Sequence, residues 1–493
     1  MDKTDDMQLL RMMMLQTEKY DENGQLDRFK ARMVADGSGQ ERKYGKVKSF
    51  SPNITKESLR LMLARAAYFR HLLAGWDVCE AFLNSELQGG QVYYAYPPPG
   101  FWLLCKEAGI EFKRGQVLKL LKAIYGLVNA SRDWYIELTT WMVKEQKFVQ
   151  CQHDPCVFIR AQLVVGVHTD DILATGPTEQ LRSYGEALGK RFSVRGGGTP
   201  GLYCGMELRR EPHNGPIYVS MVNYTKQMIA KFMPGDKINP SGSPSPVDPI
   251  TKDDELQECD FPVRSAVGSL LYLAIVLRFD IAHATNKVAR HVARPTVTVV
   301  RRIKRLLRYL QGSIDFCLVF AGETAQPLKW VCSADGSLAP DDTRQSTGGY
   351  AVRLGDSIIA WKVVTAKCIL LSTCECELFF VFQGAKAMKW LVQLATEMFQ
   401  GQIQLPAVIQ NDNMAAIEIV NDGRTSQRTR HIEIKYLFTH QMVEQGWLKV
   451  EWIASKELHA DLLTKDFHPE PFIDRLRLFE RSIKTKLLRR KGR

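Results

Sequence analysis

The sequence lacks a long apolar run and an N-terminal segment of the kind that directs secretion. Its longest apolar stretch, residues 268–277, is too short to span a bilayer and is followed directly by Arg278 and, soon after, Asp280. The first residues are acidic, whereas the start of a signal peptide is basic. We therefore expect an intracellular protein that is neither secreted nor embedded in a membrane.

Regular cysteine spacing is also missing. The eleven cysteines are odd in number and irregularly spaced, which favours a reduced protein over a disulfide framework. Cys151, His153 and Cys156 stand close enough together to suggest a zinc site. Because no second ligand pair follows at the spacing of a zinc finger, we interpret these residues as part of a core.

The composition is that of a folded protein with a basic surplus. Hydrophobic residues make up 45% and charged residues 24% of the 493 positions, enough for roughly two to four domains. Lys and Arg number 66 against 54 for Asp and Glu, a formal net charge of +12. This surplus favours a polyanionic partner such as nucleic acid, although many soluble proteins are mildly basic.

Helical and strand-like patterns alternate along the chain, and no internal repeat is visible. Residues 58–73 have apolar side chains at helical spacing, and residues 164–173 read as a hairpin around a polar centre. Proline and glycine are dense in residues 234–252, which predicts a linker. Residues 263–312 look helical, and residues 481–493 hold seven Lys or Arg and predict a basic tail.

One set of carboxylates consists of Asp77 and the adjacent pair Asp170 and Asp171, each beside an apolar strand-like run. Two like charges at a tight turn repel each other, and bound cations are the usual compensation. Phosphoryl transfer with two metal ions needs such a cluster. Asp-Asp pairs are also common in ordinary loops, so this pattern alone does not decide the function.

The surroundings of these aspartates resemble the reverse transcriptase of copia-type retrotransposon Pol polyproteins. The similarity covers about residues 18–470, and its motifs appear in the family's order and spacing. They are the segments 28–35, 50–52, 77–84, 96–101, 122–127, 132–135, 203–207, 267–273, 278–281 and 308–312. Residues 168–171, His-Thr-Asp-Asp, stand where the family has Tyr-Val-Asp-Asp. Relative to the family, the first part of the fingers and the upstream protease and integrase are expected to be missing.

The resemblance assigns roles to individual residues of the polymerase part. It implies that Lys30 and Arg32 contact the triphosphate of the incoming nucleotide. Asp77, with the Asp170–Asp171 pair, would hold two Mg²⁺ ions. Phe82 would be the bulky residue that excludes a ribose 2′-hydroxyl.

A second set of carboxylates resembles the metal site of a copia-type ribonuclease H. Its members are Asp335, Glu377, Asp412 and Asp461, and the resemblance implies that they also hold two Mg²⁺ ions. His431, in a segment similar to the family's Arg-Thr-Lys-His-Ile, would help substrate or product to move.

Two positions of this second set leave an alternative. The family's Ser-Asp-Ala-Asp reads Cys-Ser-Ala-Asp at residues 332–335, so the first acid is either replaced by Ser333 or supplied by Asp335. A serine hydroxyl carries no charge and is a poor substitute for a carboxylate beside divalent ions. For the second acid we favour Glu377 over Glu375, because related nucleases place it where the helix begins.

The fold class expected from this resemblance is α/β (α+β). A fingers–palm–thumb reverse transcriptase is followed by a connection and a five-stranded, mixed ribonuclease H-like sheet with flanking helices. The predicted boundaries are residues 1–233 for the polymerase part with a truncated N-terminus, 234–262 for the linker, 263–325 for the helical connection, 326–470 for the nuclease and 471–493 for the tail.

The resemblance implies RNA- and DNA-directed DNA synthesis from deoxynucleotide triphosphates, together with cleavage of RNA in hybrids. The expected partners are an RNA template, a DNA primer and an RNA–DNA hybrid, met in a cytoplasmic particle or the nucleus. One alternative is a degenerate relic that binds nucleic acid without catalysis. Another is a cellular ribonuclease H with an unrelated N-terminal module, against which the ordered motifs before residue 210 argue. The sequence does not determine the oligomeric state.

Overall fold

The computed structural model describes residues 3, 7–20, 25–90, 92–113, 115–235, 239–246, 261–322, 328–340, 344–401, 403–423 and 433–489. Helices and strands alternate throughout this part of the chain. Among the described residues, no helix combines the length and the apolarity needed to cross a bilayer.

The first half of the chain contains fourteen strands and six α-helices. In order they are β1 (Leu9–Leu10), β2 (Met12–Tyr20), β3 (Leu26–Ala35), α1 (Gln40–Tyr44), α2 (Lys56–Tyr68), β4 (Leu72–Val78), β5 (Tyr93–Ala95), α3 (Phe101–Glu107), β6 (Leu118–Leu120), α4 (Ala130–Thr140), β7 (Val149–Gln150), β8 (Val157–Arg160), β9 (Leu163–His168), β10 (Asp171–Gly176), α5 (Thr178–Arg191), β11 (Val194–Gly196), β12 (Leu202–Tyr203), β13 (Met206–Arg210), β14 (Ile217–Ser220) and α6 (Val222–Phe232). These counts refer to the described residues.

The second half is richer in long elements. In order they are α7 (Val263–Val276), α8 (Ala282–Ala289), α9 (Val297–Gly312), β15 (Cys317–Phe320), β16 (Leu328–Ser337), β17 (Thr347–Leu354), β18 (Ser357–Thr365), α10 (Thr373–Phe399), β19 (Ile403–Asn411), α11 (Met414–Asp422), α12 (Glu433–Glu444), β20 (Leu448–Trp452), α13 (Pro469–Arg477) and β21 (Ile483–Lys484).

The first set of carboxylates belongs to a six-stranded sheet with the strand order β11-β4-β10-β9-β8-β7. Leu138 of α4 and Tyr184 of α5 pack on one face, and Met62 of α2 packs with the residues of the other face. Because β9 is buried on both faces, residues 163–167 form the continuous apolar run Leu-Val-Val-Gly-Val. The hairpin predicted for residues 164–173 is formed by β9 and β10.

Helix α2 is shorter than its periodicity predicts. Thr55 caps its N-terminus by accepting a hydrogen bond from the Ser58 amide, as expected for a threonine at this position. The helix ends at Tyr68 rather than near residue 73, and the chain turns at Arg70 with a φ of 53°. The apolar residues at 72–74 continue the helical spacing, but they pair with β10 instead.

The second set of carboxylates belongs to a five-stranded mixed sheet with the strand order β18-β17-β16-β19-β20. Strands β18, β17 and β16 are antiparallel, whereas β19 runs parallel to β16 and β20 parallel to β19. Helix α10 packs closely on β16: a Cβ on its Gly384 would lie 2.9 Å from the Cys332 sulfur. The expected fold class, with a five-stranded nuclease-like sheet and flanking helices, is confirmed.

A third sheet joins distant parts of the chain, in the order β12-β13-β14-β15-β21. Strand β15 pairs with β14 of the first half and with β21 near the C-terminus. Residues predicted as a basic tail are therefore packed structure up to residue 489, and Phe472, Phe479 and Ile483 are buried. The predicted linker lies largely outside the described residues, and the domain boundaries stay predictions.

The two halves share one hydrophobic core, with Arg60 of α2 at the junction. Its guanidinium is buried and donates to the carbonyl oxygens of Ile359 (2.6 Å) and Ile275 (2.7 Å). It also lies 3.8 Å from the centre of the Trp361 ring. Because these acceptors belong to β18 and α7, one side chain ties the polymerase-like half to the connection and to the nuclease-like sheet.

Candidate active sites

Strand pairing brings the three aspartates of the first set to one end of the six-stranded sheet. Asp171 begins β10 and is the antiparallel register partner of Asp77 in β4. Directly opposed residues point to the same face, with Cβ atoms about 5 Å apart. Asp170 lies in the adjoining turn, and its carbonyl oxygen accepts a hydrogen bond from the Val78 amide at 2.9 Å. The three residues therefore lie at the same end of the six-stranded sheet.

The electrostatics of this end are those of crowded carboxylates. Burial, with the nearby charges of Asp170 and Asp77, raises the pKa of Asp171 to about 6. Asp77 is exposed, and the other two are half-buried. A carboxylate that resists ionisation beside two others favours a bound cation, and Mg²⁺ prefers oxygen ligands of this kind.

The turn that carries Asp170 is held on both sides. Thr169 adopts a positive φ of 55°, an uncommon conformation for a β-branched residue. Its carbonyl oxygen accepts a hydrogen bond from the Trp134 indole at 2.7 Å, and its hydroxyl donates to the Asn53 side chain at 3.1 Å. These bonds stabilise the strained turn and position the aspartates beside it.

Phe82 and Arg32, to which the resemblance gives roles in nucleotide binding, both contact the ring of Tyr125. The Phe82 and Tyr125 rings meet edge to face, with centroids 4.8 Å apart. The Arg32 guanidinium lies 5.0 Å from the centre of the Tyr125 ring. Lys30 precedes Arg32 by two positions in β3 and thus shares its strand face. Sequence reasoning gave Tyr125 no role, although it belongs to the quoted motif 122–127.

A close backbone contact holds β3 against this region. Gly126 has a φ of +87°, and a Cβ there would lie 2.0 Å from the Ala35 carbonyl oxygen. The Ala35 amide donates to the Tyr125 carbonyl oxygen at 2.8 Å. A glycine is required at this position, since it allows the strand with Lys30 and Arg32 to approach the Phe82–Tyr125 pair.

In the nuclease-like half, three acids of the second set converge. One carboxylate oxygen each from Asp335, Glu377 and Asp412 lie within 4.8 Å of one another. They come from β16, from the first turns of α10 and from the residue after β19. Burial and the neighbouring Asp335 charge raise the pKa of Glu377 to about 8, and burial raises the pKa of Asp335 to about 6.

Asp461 stands beside this cluster and is neutralised by two cations. The Lys465 ammonium lies 2.6 Å from one Asp461 oxygen and 3.7 Å from an Asp335 oxygen, and Arg475 lies 3.2 Å from the other Asp461 oxygen. Thr464 donates to Asp335. Lys465 thus bridges the fourth acid and the first. Sequence reasoning missed the part of Lys465, although it stands only four positions after Asp461.

The four residues named in the two alternatives of the second set have different partners in the structure. Asp335 faces Glu377 and Asp412, whereas the Ser333 hydroxyl donates to Gln410 at 3.2 Å. Glu375 lies in the first turn of α10 and accepts a hydrogen bond from the Leu371 amide, as a capping residue does. Glu377 is buried and accepts a hydrogen bond from Asn411 at 2.9 Å.

Two other expectations concern residues away from these clusters. His431 lies outside the described residues. Cys151 and Cys156 are buried, as expected of core residues, and burial raises both thiol pKa values to about 12. His153 forms an ion pair with Glu397 of α10, with 2.5 Å between the two atoms.

Comparisons with known proteins show what the chain is similar to. Residues 2–244 match the family described as reverse transcriptase (RNA-dependent DNA polymerase). The chain is 32% identical over 464 residues to the retrovirus-related Pol polyprotein from transposon TNT 1-94 of Nicotiana tabacum, covering 91% of this chain and 34% of that protein. It is 32% identical over 456 residues to the corresponding polyprotein from transposon RE2 of Arabidopsis thaliana, covering 91% and 30%. The chain thus spans about a third of the length of these relatives.

Two solved structures also match the chain, at much lower sequence identity. The foamy viral protease-reverse transcriptase in complex with an RNA/DNA hybrid superposes with a TM-score of 0.48 and 11% identity, covering 90% of this chain and 50% of that chain. The N-terminal ribonuclease H domain of rv2228c from Mycobacterium tuberculosis covers 28% of this chain and 91% of that chain, with 17% identity and a TM-score of 0.22.

Proposed function

The chain belongs to the reverse transcriptase family of copia-type, retrovirus-related Pol polyproteins, and on that premise we propose that it synthesises DNA on RNA and DNA templates and cleaves RNA in hybrids. The match of residues 2–244 excludes an unrelated N-terminal module. The substrates are deoxynucleotide triphosphates, with an RNA template, a DNA primer and an RNA–DNA hybrid as partners, and the setting is intracellular.

The register of Asp77 with Asp171 is the observation that carries the polymerase proposal. It supports a joint site in which these two residues and Asp170 bind Mg²⁺. The residues fit such ions, because all three offer carboxylate oxygens and Asp171 lies where ionisation needs a compensating charge. In sites of this type, two Mg²⁺ ions neutralise the attacking and the leaving oxygens.

The protein's own residues supply nucleotide selection. Arg32 and Lys30 present positive charge along one face of β3, as triphosphate binding requires. Phe82 is braced by Tyr125, so its ring resists displacement by a larger sugar. We therefore assign Phe82 to the exclusion of a 2′-hydroxyl.

In the nuclease part, Asp335, Glu377 and Asp412 are proposed to bind Mg²⁺, with Asp461 as the fourth acid. The convergence of Asp335, Glu377 and Asp412 supports this assignment, as do the raised pKa values of Asp335 and Glu377. Lys465 already offsets part of the charge of Asp335 and Asp461, and Arg475 offsets a further part of the charge of Asp461. His431 keeps its proposed part in the movement of substrate or product.

Primer extension on poly(rA)–oligo(dT) with Mg²⁺ tests the polymerase. We expect dTMP incorporation by the full chain and a loss of about a hundredfold or more in Asp77→Asn, because a lost metal ligand removes transition-state stabilisation. Asp474→Asn, an exposed aspartate on α13, is the matched control and should leave the rate unchanged.

Cleavage of the RNA strand of a hybrid tests the nuclease. Asp335→Asn should abolish cleavage, and Ser333→Ala should retain it. Cleavage that survives Asp335→Asn would show that another acid serves. A wild-type chain that binds the hybrid but neither extends nor cleaves would support the degenerate relic instead.

A further inference from the structure

A group of possible metal ligands lies beside the polymerase aspartates and has a different chemistry. It combines one ring nitrogen of His168, the sulfur of Cys204 and one carboxylate oxygen of Asp171, and these three atoms lie within 4.8 Å of one another. All three residues are half-buried. His168 and Asp171 are three positions apart, but Cys204 lies 33 positions after Asp171, so no spacing motif indicates the complete group.

Backbone geometry holds the three residues in place. His168 and Asp171 are register partners across the turn between β9 and β10 and so point to the same face. Cys204 lies in the turn between β12 and β13, with a positive φ of 48°. The Tyr203 hydroxyl donates to the Asp171 backbone carbonyl at 3.4 Å, which ties the second turn to the first.

A hydrogen bond from α7 also restrains the turn that contains Cys204. The Tyr272 hydroxyl of α7 donates to the Cys204 carbonyl oxygen at 3.4 Å. The conformation of this turn is therefore restrained by residues of the palm-like sheet and of the connection. A restrained turn presents its sulfur with little loss of conformational freedom on binding, which favours a preformed site.

The donor set distinguishes among metals. Imidazole nitrogen and thiolate sulfur suit Zn²⁺, whereas Mg²⁺ prefers oxygen ligands and near-octahedral geometry. Three protein ligands with a fourth position left to water is a common zinc arrangement. A thiolate and a carboxylate together balance the two positive charges of the ion. The histidine stands where the related family has tyrosine, so the nitrogen ligand is a departure of this chain.

We infer that His168, Asp171 and Cys204 bind one Zn²⁺ ion, and that this ion inhibits DNA synthesis by withdrawing Asp171 from Asp77 and Asp170. The first half of this inference, the binding of Zn²⁺, is independent of the proposed function. The second half, the inhibition of DNA synthesis, rests on it. The ion competes with Mg²⁺ for one shared carboxylate, so inhibition by Zn²⁺ weakens as the Mg²⁺ concentration rises.

Zn²⁺ binding to the metal-stripped full chain, measured against a competing chelator, tests the first half. His168→Tyr and Cys204→Ala should each weaken binding at this site by about a hundredfold or more, since even indirect supports of a metal site are worth ten- to a hundredfold. Cys368→Ala, an exposed cysteine elsewhere, is the matched control and should leave binding unchanged.

The acids of the nuclease cluster also attract divalent ions, so a thiolate-specific signal is needed. With Co²⁺ in place of Zn²⁺, the wild-type chain should show sulfur-to-cobalt charge-transfer absorption that Cys204→Ala lacks and Glu377→Gln retains. Zn²⁺ should also protect Cys204 from alkylation at least tenfold, as read by peptide mass spectrometry. An unchanged cobalt spectrum in Cys204→Ala, or no protection of Cys204, overturns the site.

Primer extension at fixed Mg²⁺ tests the second half. Zn²⁺ should inhibit the wild-type chain, and His168→Tyr and Cys204→Ala should need at least tenfold more Zn²⁺ for equal inhibition. If the wild-type chain and both variants are equally sensitive to Zn²⁺, inhibition through this site is overturned, even if the ion binds there. If the wild-type chain does not extend primers at all, the proposed polymerase function fails, while the binding and cobalt results still decide the zinc site.

Discussion

Replacing Glu377 by Gln should make the metal-free protein more stable at alkaline pH while abolishing cleavage of hybrids. Glu377 is 4% exposed and faces two other acids. Burial, followed by the charge of Asp335, raises its pKa from 4.5 to about 8. Glutamine keeps the shape and an oxygen that can accept the hydrogen bond from Asn411, but it cannot ionise.

The direction in which the free energy of unfolding changes with pH follows from proton binding to Glu377. Between pH 4.5 and about 8 the folded chain holds a proton that the unfolded chain has released. The contribution of Glu377 to the free energy of unfolding is thus complete below pH 4.5 and is lost as the pH rises through 8. At 1.36 kcal/mol per pH unit, the loss is about 3 kcal/mol at pH 7 and about 5 kcal/mol above pH 8.

Hydrogen exchange of the α10 amides, in EDTA, measures this difference locally. Comparing the two proteins at the same pH cancels the intrinsic exchange rate. The stability advantage of Glu377→Gln should grow from less than about 1 kcal/mol at pH 5 to several kcal/mol at pH 8.5. Added Mg²⁺ should reduce the advantage, because the ionised wild-type residue is then a ligand.

Glu375→Gln, two residues earlier in α10, is the matched control. Its carboxylate caps the helix by accepting from the Leu371 amide and lies outside the converging acids. It should show no stability advantage that grows with pH. The reasoning is refuted if Glu377→Gln and the wild type keep the same difference in protection from pH 5 to 8.5.

Three further substitutions test the polymerase half and its junction. Phe82→Ala should raise ribonucleotide incorporation about tenfold or more relative to deoxynucleotides, measured as the ratio of the two kcat/KM values; unchanged selectivity would assign Phe82 to the core alone. Arg60→Met should lower the free energy of unfolding by about 3 kcal/mol or more in urea, because two buried carbonyl oxygens lose charged donors; a smaller loss would contradict the junction. Gly126→Ala should raise KM for nucleotides, because its Cβ collides with Ala35 and displaces β3; an unchanged KM would show that this contact is dispensable.

The sequence by itself determined the fold class and singled out Asp77, Asp170 and Asp171 as one set of carboxylates. Apolar runs on either side of Asp170 and Asp171 predict a hairpin, and hairpin formation depends on neighbouring residues. That Asp77 lies in the strand paired with β10 is shown by the structure. Helix α2 shows the limit of such patterns, since residues 72–74 continue its spacing and are nevertheless taken up by β4. Pairing with β10, a partner about a hundred residues away, decided their structure.

Only the tertiary structure shows that Asp335 lies with Glu377 and Asp412 and that Ser333 has a different partner. The two residues are two positions apart in β16, so alternation puts both on one face of the strand. What distinguishes them is their partners, which come from other elements: Asp335 converges with Glu377 and Asp412, whereas the Ser333 hydroxyl donates to Gln410. Strand pairing over long separations leaves no local pattern in the sequence. For this reason the sequence predicted neither the proximity of His168 and Cys204 nor the packing of residues 469–489.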